Sequence, residues 1–512
     1  MAGSTPGDAS ASPAFWLAAL VLAGLAGLAF HLAPQLPFGV AFDEPLKVHF
    51  VKDGTQDFHH PILMLQMVRA ANFFVGASDE AGILAVGRAA AAFSGGLLVF
   101  AAILLARRAM GNVAAFGAGL LTAVAPLTVL HAQLFKEDIF LAPWLIFGLV
   151  ALDRLVAKPE RLGALLFGAA AGLAAAAKYT GAILLPLSLL PPLWESVDRK
   201  RYFRLLALAL AVAILVFLAV NLPAFTDPLA FATGIRGELG HALGGHLIVL
   251  YGWQSWFLFT WFANLWPGLT APLALAGLIG AGIVVVTWWR APAILRLLLA
   301  FGLAWYLLHE LPPMKPYPEG ARHMVVMAAA FAVLAAFAAE RLTGWLPRDA
   351  AAAMATAAIL AIAAHPALVS YRLVQSAPDD TQLVTRRIAA SLPGPTLWAR
   401  PTTVEPSLEL SGPLDEVLSQ PGFLVVNELF ADQYVKSLSL SLQTPIKLKR
   451  AAAHEALMRR PALRVTSTAG SFAFRNPPYR IVALSGDPRA LADVAKAYRD
   501  IPDISLEVVP AR

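Results

Sequence analysis

Two adjacent carboxylates stand at the start of the segment whose residue types are best suited to chemistry. Asp43 and Glu44 follow the first apolar run of the chain, Ala14–Ala33. A run of about 20 apolar residues can cross a bilayer, which puts both carboxylates at a membrane–water boundary. Ionised groups at that depth are unfavourable unless they are paired or used. The pair therefore indicates either a functional carboxylate or, in the plainer interpretation, the aqueous side of the first span.

A second charged group lies in a very short connection between two apolar runs. Lys136, Glu137 and Asp138 are consecutive, and apolar sequence resumes at Ile139. Two interpretations fit three adjacent charges at the entrance of a span. Lys136 could pair with one of the carboxylates for structural reasons, or the group could hold an anion beside a carboxylate.

Two further cations stand at the ends of apolar runs. Lys178 lies between two runs with almost no loop, where a lysine commonly extends its side chain to the membrane interface. Arg322, followed by His323, begins a late apolar run. A planar guanidinium at the level of the lipid headgroups suits a lipid phosphate.

Histidines accompany these charges on the same predicted side. Asp57, His59 and His60 fall in the first long loop, while His241 and His246 fall in a later one. Together they could bind a divalent metal, although a lone interfacial histidine is more often a hydrogen-bonded structural group. The sequence contains no compact metal motif such as His-Glu-x-x-His, so we assign no metal and no other cofactor.

The composition indicates whether the helices or strands that position these residues lie in water or in lipid. Of 512 residues, 58% are hydrophobic and 14% are charged, and the mean hydropathy is +0.66. A soluble domain carries about 25% charged residues, so most of this chain must lie in lipid. The composition excludes a cytosolic enzyme, and the absence of cysteine excludes disulfides and thiolate chemistry. We attribute the net charge of +6 to cytoplasmic loops and not to nucleic-acid binding.

Apolar runs predict about eleven transmembrane helices in an all-α polytopic membrane protein. They fall near residues 14–33, 83–105, 113–131, 138–152, 162–177, 180–194, 203–222, 267–288, 292–309, 323–340 and 350–370. Residues 1–13 resemble a disordered lead. We interpret 14–33 as a retained span and not a signal peptide, because no basic residue precedes it.

The distribution of charge predicts the orientation. With a cytoplasmic N-terminus, basic residues such as Arg107, Arg108 and Arg290 fall on inside loops, and the acids collect outside. Residues 14–375 then form the membrane domain, whose outer loop 34–82 contains an interfacial helix near Ile62–Phe74. Residues 376–512 are charged and contain short strand-like runs, which predicts a small periplasmic α/β domain.

In combination, these motifs resemble the GT-C glycosyltransferases, in the branch of the protein O-mannosyltransferases and the lipid A aminoarabinose transferase. The matching segments are Asp43-Glu44, Asp57–Pro61, Lys136–Asp138, Lys178–Thr180, Ala321–His323 and the outer segment from Asp227 to His246. The resemblance covers most of residues 14–372. It rests on the order of the motifs and on their shared side of the membrane.

The resemblance implies a bacterial inner-membrane enzyme that transfers a sugar from a polyprenyl phosphate, with inversion, to a glycan, lipid or protein acceptor. Asp43 would be the general base, and Glu44 would orient it or contact the acceptor. Glu137 and Asp138 would orient the acceptor or hold a metal. The implied donor-phosphate ligands are Lys136, Lys178, Arg322 and His323. The possible substrate or metal contacts are Asp57, His59, His60, Tyr179, His241 and His246.

Other functions remain open at this stage. An oligosaccharyltransferase that uses a pyrophosphate-linked glycan is the alternative within the enzyme class, although that group favours a larger soluble domain. A transporter or flippase would require charges near the bilayer midplane and an inverted repeat, and neither is evident in the sequence. A non-catalytic scaffold would leave Asp43-Glu44 and Lys136–Asp138 unexplained.

Overall fold

The structure, a computed structural model, combines a helical membrane domain with a smaller sheet domain. The described residues are 12–37, 44–244, 258–311, 319–399, 408, 410, 413–429, 431, 445–472 and 475–510.

The membrane domain consists of α-helices joined by short connections. These helices are α1 (Pro13–Leu32), α2 (Glu44–Asp53), α3 (Leu63–Val75), α4 (Glu80–Arg107), α5 (Asn112–Val124), α6 (Pro126–His131), α7 (Glu137–Ala157), α8 (Arg161–Ala177), α9 (Leu184–Leu187), α10 (Arg199–Val220), α11 (Pro223–Thr226), α12 (Pro228–Gly244), α13 (Trp266–Leu269), α14 (Ala271–Val286), α15 (Ala293–Glu310), α16 (Val325–Thr343) and α17 (Arg348–Gln375). Short 3₁₀ or π segments lie at Tyr179–Ile183, Pro191–Leu193, Trp261–Leu265, Glu319–Met324 and Ala377–Asp379.

The predicted all-α polytopic class is confirmed, but the number of eleven spans is not. Among the described residues, seven helices are long and apolar enough to cross a membrane, or eight if Trp261–Leu269 and Ala271–Val286 form one span bent by 104°. The predicted run 113–131 is divided into α5 and α6, where Pro126 begins a new helix. The runs at 162–177 and 180–194 also form helices shorter than a full span.

The first long loop contains two helices, of which the sequence predicted one. The interfacial helix near Ile62–Phe74 corresponds to α3, which buries Leu63–Leu65 and Val68. Its other end exposes Phe73 and Phe74. Helix α2, beginning at Glu44, was not predicted because Glu44–Asp53 is only weakly apolar.

Glycine allows several membrane helices to pack backbone against backbone. Gly168 and Gly172 of α8 lie against the carbonyl oxygens of Ala209 and Ala213 on α10. Gly280 of α14 lies in the same way against Leu334 of α16. Small residues permit this close approach in lipid, where van der Waals contact drives helix association.

Gly280→Ala is expected to destabilise the protein. The new Cβ atom would lie 2.0 Å from the Leu334 carbonyl oxygen, and neither backbone can move without displacing its helix. Overpacking of this kind costs about 1–3 kcal/mol, which should lower the midpoint of thermal unfolding in detergent. Gly282→Ala on the same helix is the matched control, because nothing lies within 4 Å of its Cβ position. Equal midpoints for the two variants would contradict the proposed backbone contact.

In the described part of the C-terminal domain, five strands form a sheet with helices on both faces. Its elements are α18 (Thr381–Ala390), β1 (Thr396–Trp398), α19 (Leu414–Leu418), β2 (Phe423–Asn427), α20 (Pro445–Met458), β3 (Ala462–Ser467), β4 (Tyr479–Ala483), α21 (Pro488–Ala497) and β5 (Ile504–Val509). The strand order is β1-β2-β4-β3-β5, with β1 and β2 parallel and the other pairs antiparallel.

Strand alternation accounts for the two faces of this sheet. Phe423 and Val425 of β2 pack with α18 and α21, whereas Leu424 and Val426 pack with α19 and α20. The small α/β domain predicted from the sequence is therefore confirmed as a fold. The strand-like runs at 396–398, 423–426 and 481–484 correspond to β1, β2 and β4, whereas β3 and β5 were not predicted.

Candidate active site

Charged side chains from three helix ends meet inside the membrane domain. Lys136 is the N-cap of α7, and Glu137 and Asp138 form its first turn. Lys178 caps the C-terminal end of α8, and Arg322 and His323 lie in the 3₁₀ turn that leads into α16. Each of these side chains except that of His323 belongs to a buried residue, so they form an interior site and not a surface patch.

Asp138 is the centre of the first ion-pair group. Its Oδ1 lies 2.7 Å from Lys178 Nζ and 3.3 Å from His323 Nδ1. Lys178 Nζ and His323 Nδ1 are themselves 2.9 Å apart. The Nε of Arg322 lies 3.9 Å from Asp138 Oδ2. Residues that are far apart in sequence therefore share one buried carboxylate.

Glu137 forms the second ion pair, with a residue that the sequence analysis missed. Lys47 Nζ, on α2, lies 2.5 Å from Glu137 Oε1, and both side chains are less than a tenth exposed. The available signal was the spacing of Lys47 three residues after Glu44. That spacing places both residues on one face of a helix, but only if α2 is recognised as a helix.

Glu44 is fully buried and holds other parts of the site in place. Its carboxylate accepts hydrogen bonds from Arg88 Nε at 3.0 Å and Arg88 Nη2 at 2.5 Å, and from the backbone N–H of Phe135 at 2.9 Å. Both of its oxygens are therefore occupied. These contacts join α2, α4 and the segment before Lys136. The sequence analysis also missed Arg88.

His60 faces the two ion pairs from the first long loop. Burial, together with nearby Lys178, Lys47 and Arg322, lowers the pKa of His60 to about 3 against the opposing effect of Glu137. The imidazole is therefore neutral at physiological pH. Its Nδ1 lies 3.9 Å from Glu238 Oε1, too far for a hydrogen bond.

Contacts with neighbouring helices fix the loop that contains His60. The hydroxyl of Tyr179 donates to the carbonyl oxygen of Phe58 at 3.0 Å. The amide of Ile62 donates to the side-chain oxygen of Asn221, a fully buried residue at the end of α10. Tyr179 is thus a loop anchor in this structure.

Two other predicted residues, Asp57 and His59, make contacts elsewhere in the described structure. Asp57 Oδ1 accepts a hydrogen bond from the backbone of His59, and the His59 ring lies against Gly237 of α12. Asp43, His246 and the side chain of His241 lie outside the described residues. Within the described ranges, no three His, Asp or Glu side chains are grouped so that they could hold a metal ion.

A further histidine, His309, packs against His323 of the site. The His309 ring on α15 stacks on His323, with centroids 5.2 Å apart and an interplanar angle of 24°. The indole N–H of Trp305 donates to the carbonyl oxygen of His323 at 2.8 Å. These contacts fix the turn that carries Arg322 and His323. Sequence inspection did not single out His309 or Trp305.

Comparison with protein families gives a match over the part of the chain that contains much of this site. A family model described as dolichyl-phosphate-mannose-protein mannosyltransferase matches residues 59–223. This segment includes His60, Lys136–Asp138 and Lys178. No curated protein sequence matches the chain.

Solved structures are similar over nearly the whole chain. ArnT from Cupriavidus metallidurans in the apo state matches with a TM-score of 0.50 and 15% identity, over 92% of this chain and 97% of that chain. The apo oligosaccharyltransferase of Archaeoglobus fulgidus matches with a TM-score of 0.54 and 12% identity, over 98% and 76%. The oligosaccharyltransferase AglB of A. fulgidus, in complex with an inhibitory peptide and a dolichol-phosphate, matches with a TM-score of 0.53 and 12% identity, over 97% and 76%.

The two kinds of comparison agree with the family resemblance found in the sequence. At these identities the structural matches establish the fold, and the family model adds a sequence pattern over residues 59–223. The predicted resemblance is thereby confirmed: the chain has the fold of the GT-C glycosyltransferases and resembles their ArnT and protein O-mannosyltransferase branch.

Proposed function

We propose that this protein is an integral-membrane glycosyltransferase that transfers a sugar from a polyprenyl phosphate to an acceptor at the periplasmic face, with inversion. The observation that carries the proposal is the buried group formed by Lys178, Asp138 and His323, beside the Lys47–Glu137 pair. The family match and the similarity to a structure that contains a dolichol-phosphate support the same donor class.

The energetics of these ion pairs favour a binding role over a purely structural one. A buried ion pair rarely stabilises a protein more than apolar residues of the same size would. Charged groups within a membrane domain are therefore commonly functional. Lys178 and Arg322 both approach Asp138, so a phosphate that enters beside Asp138 would meet two cations already in place.

In the proposed reaction the acceptor hydroxyl attacks the anomeric carbon while the bond from that carbon to the phosphate oxygen breaks. Asp43 takes the hydroxyl proton as general base. Lys178 and Arg322 stabilise the negative charge that develops on the leaving polyprenyl phosphate, which is the larger contribution to catalysis. Glu44 would hold the start of α2 through Arg88 and so position its neighbour in the sequence.

Two ion pairs at the end of the membrane domain opposite the candidate site support the proposed orientation. Arg108 pairs with Asp153 near the C-terminal end of α7, at 2.7 Å, and Arg296 pairs with Glu195. Arg108 caps the C-terminal end of α4 and Arg296 lies in the first turn of α15, at helix ends that the charge distribution assigns to the cytoplasm. Asp138 begins the same helix α7 that Asp153 helps to end, which favours a periplasmic site.

Transfer by purified protein in lipid nanodiscs would test the function directly. We would supply radiolabelled undecaprenyl-phosphate mannose or aminoarabinose, in parallel with an undecaprenyl-pyrophosphate glycan, and follow release of the lipid phosphate or pyrophosphate. Turnover with a monophosphate donor is expected. Turnover with the pyrophosphate donor alone would favour the oligosaccharyltransferase alternative, which the fold similarity to the A. fulgidus enzyme supports. No turnover with either class would contradict the proposal.

Arg322→Ala is expected to weaken binding of undecaprenyl phosphate by about 10–100-fold, because each charge-assisted hydrogen bond contributes about 1.5–3 kcal/mol. The apparent melting temperature should change much less than the dissociation constant. Arg108→Ala is the control, since its partner Asp153 lies at the other end of α7 and lipid-phosphate binding should not depend on it. Unchanged affinity in Arg322→Ala would remove Arg322 from the donor site.

A further inference from the structure

A short finger of the C-terminal domain penetrates the membrane domain beside the candidate site. Phe472 and Arg475 form an isolated antiparallel bridge, with backbone hydrogen bonds of 3.2 and 3.0 Å. Phe472 is buried in the membrane-domain core, where its ring lies against Gly268 of α13. We call this pair of residues, 472 and 475, the finger.

Arg475 connects two chain segments that lead into the site. Its Nη2 donates to Gln133 Oε1 at 2.7 Å and to the carbonyl oxygen of Pro34 at 3.1 Å. Gln133 precedes Lys136 by three residues, and Pro34 lies between α1 and the Asp43–Glu44 pair. A single guanidinium thus joins the segments that carry the two acidic motifs.

Burying the Arg475 guanidinium at this contact carries a high desolvation penalty. Only 4% of Arg475 is exposed, and burial lowers its pKa to about 10, so it stays charged at physiological pH. Asp380 and Glu44 oppose this lowering of the pKa, and Arg88 adds to it. Among the described residues its Nη1 and the Nε2 of Gln133 have no hydrogen-bond partner. A charge held under these conditions is poorly explained by stability alone.

The base of the finger is anchored where the two domains join. The backbone amide of Asn476 donates to Asp380 Oδ2 at 2.7 Å, and its side chain donates to Ser376 Oγ at 2.8 Å. Ser376 directly follows α17, the last membrane helix. Asn476 therefore holds the base of the finger to the residues that follow α17, while Phe472 and Arg475 contact the membrane domain.

We infer that Arg475 is a positioning residue for transfer, which holds the Pro34 and Gln133 segments so that the carboxylates of the first outer loop and of α7 keep their relative placement. This inference rests on the proposed function. In this role Arg475 does not touch the reacting atoms. Its removal should slow the chemical step while the donor phosphate still binds at Lys178 and Arg322.

The test compares Arg475→Ala, Arg475→Lys and wild type as full-length protein in nanodiscs. Active sites are counted by the stoichiometry of bound undecaprenyl phosphate, and kcat is expressed per bound lipid. We expect Arg475→Ala to lower kcat by about 10–100-fold, as for other small misplacements, with stoichiometry and donor KM within threefold of wild type. Arg475→Lys should recover part of the loss, because an ammonium can still reach one of the two acceptors.

Two further variants sharpen the comparison. Arg464→Ala removes an arginine that pairs with Glu428 inside the same domain, at 2.9 Å, and should leave kcat unchanged. Gln133→Ala combined with Arg475→Ala should be no slower than Arg475→Ala alone, since both act through one contact.

The outcomes separate this inference from the proposed function. Wild-type kcat in Arg475→Ala would overturn the positioning role and leave the function standing. Loss of lipid-binding sites in proportion to the loss of activity would also overturn it, because the arginine would then serve folding only. Absence of transfer by wild type from every lipid-linked donor would overturn both.

Discussion

Asp43→Asn is expected to reduce sugar transfer by about 10²–10⁴-fold, the range that loss of a general base produces. The amide keeps the shape of the carboxylate but cannot take the proton of an acceptor hydroxyl. Binding of undecaprenyl phosphate should survive, because its proposed ligands Lys178 and Arg322 are untouched. The measurement is single-turnover transfer, in which donor binding is saturated and the chemical step is observed.

Asp53→Asn is a suitable control for this experiment. Asp53 ends α2 and pairs with His49 at an exposed position, so its variant should transfer at the wild-type rate. Glu44→Gln would be a poor control, since it disrupts the buried contact with Arg88 and should destabilise the protein. Full activity in a folded Asp43→Asn protein would rule out Asp43 as the base.

Lys178→Met is expected to abolish detectable transfer and to lower stability by about 3–5 kcal/mol. The variant removes the nearest cation from Asp138 while that carboxylate stays buried. Adding Asp138→Asn should recover much of the stability, because it removes the poorly compensated charge. It should not restore transfer, since the proposed phosphate ligand is still missing. Denaturant titration in micelles and transfer assays would measure the two effects separately.

Lys158→Met is the matched lysine control. Lys158 pairs with Glu160 on the surface, where its side chain is 77% exposed, so neither stability nor transfer should change appreciably. Transfer by Lys178→Met at the wild-type rate would exclude Lys178 from the donor site. A double variant no more stable than Lys178→Met would contradict the view that Asp138 is left uncompensated.

Hydropathy predicted the membrane helices well because lipid imposes one requirement on every span. Each predicted run falls on one helix or on consecutive short helical segments. It overestimated complete spans where proline interrupts the helix, as at Pro126. It missed α2, whose sequence Glu44–Asp53 has neither a long apolar run nor a strong apolar face. In the C-terminal domain, β5 was missed because it is an edge strand with alternating exposure.

The sequence predicted those site residues that stand out as charged groups at the end of an apolar run. Lys136–Asp138, Lys178 and Arg322 stand out in sequence, and the structure brings them together. Their partners were not predictable, because Lys47–Glu137 and Glu44–Arg88 join residues that are 90 and 44 positions apart. Such pairings depend on how α2, α4 and α7 pack, and no local pattern encodes that packing.

The buried Phe472 has a consequence for how proteins of this architecture could diversify. Its ring lies against Gly268, which also lies against Leu127, so the C-terminal domain contributes to the apolar interior of the membrane domain. A chimera that exchanged this domain for a foreign one would leave a void there unless an equivalent aromatic residue came with it. Recombination at the junction near Ser376 is thus constrained, and we expect exchanges that retain residues 472 and 475 to be tolerated best.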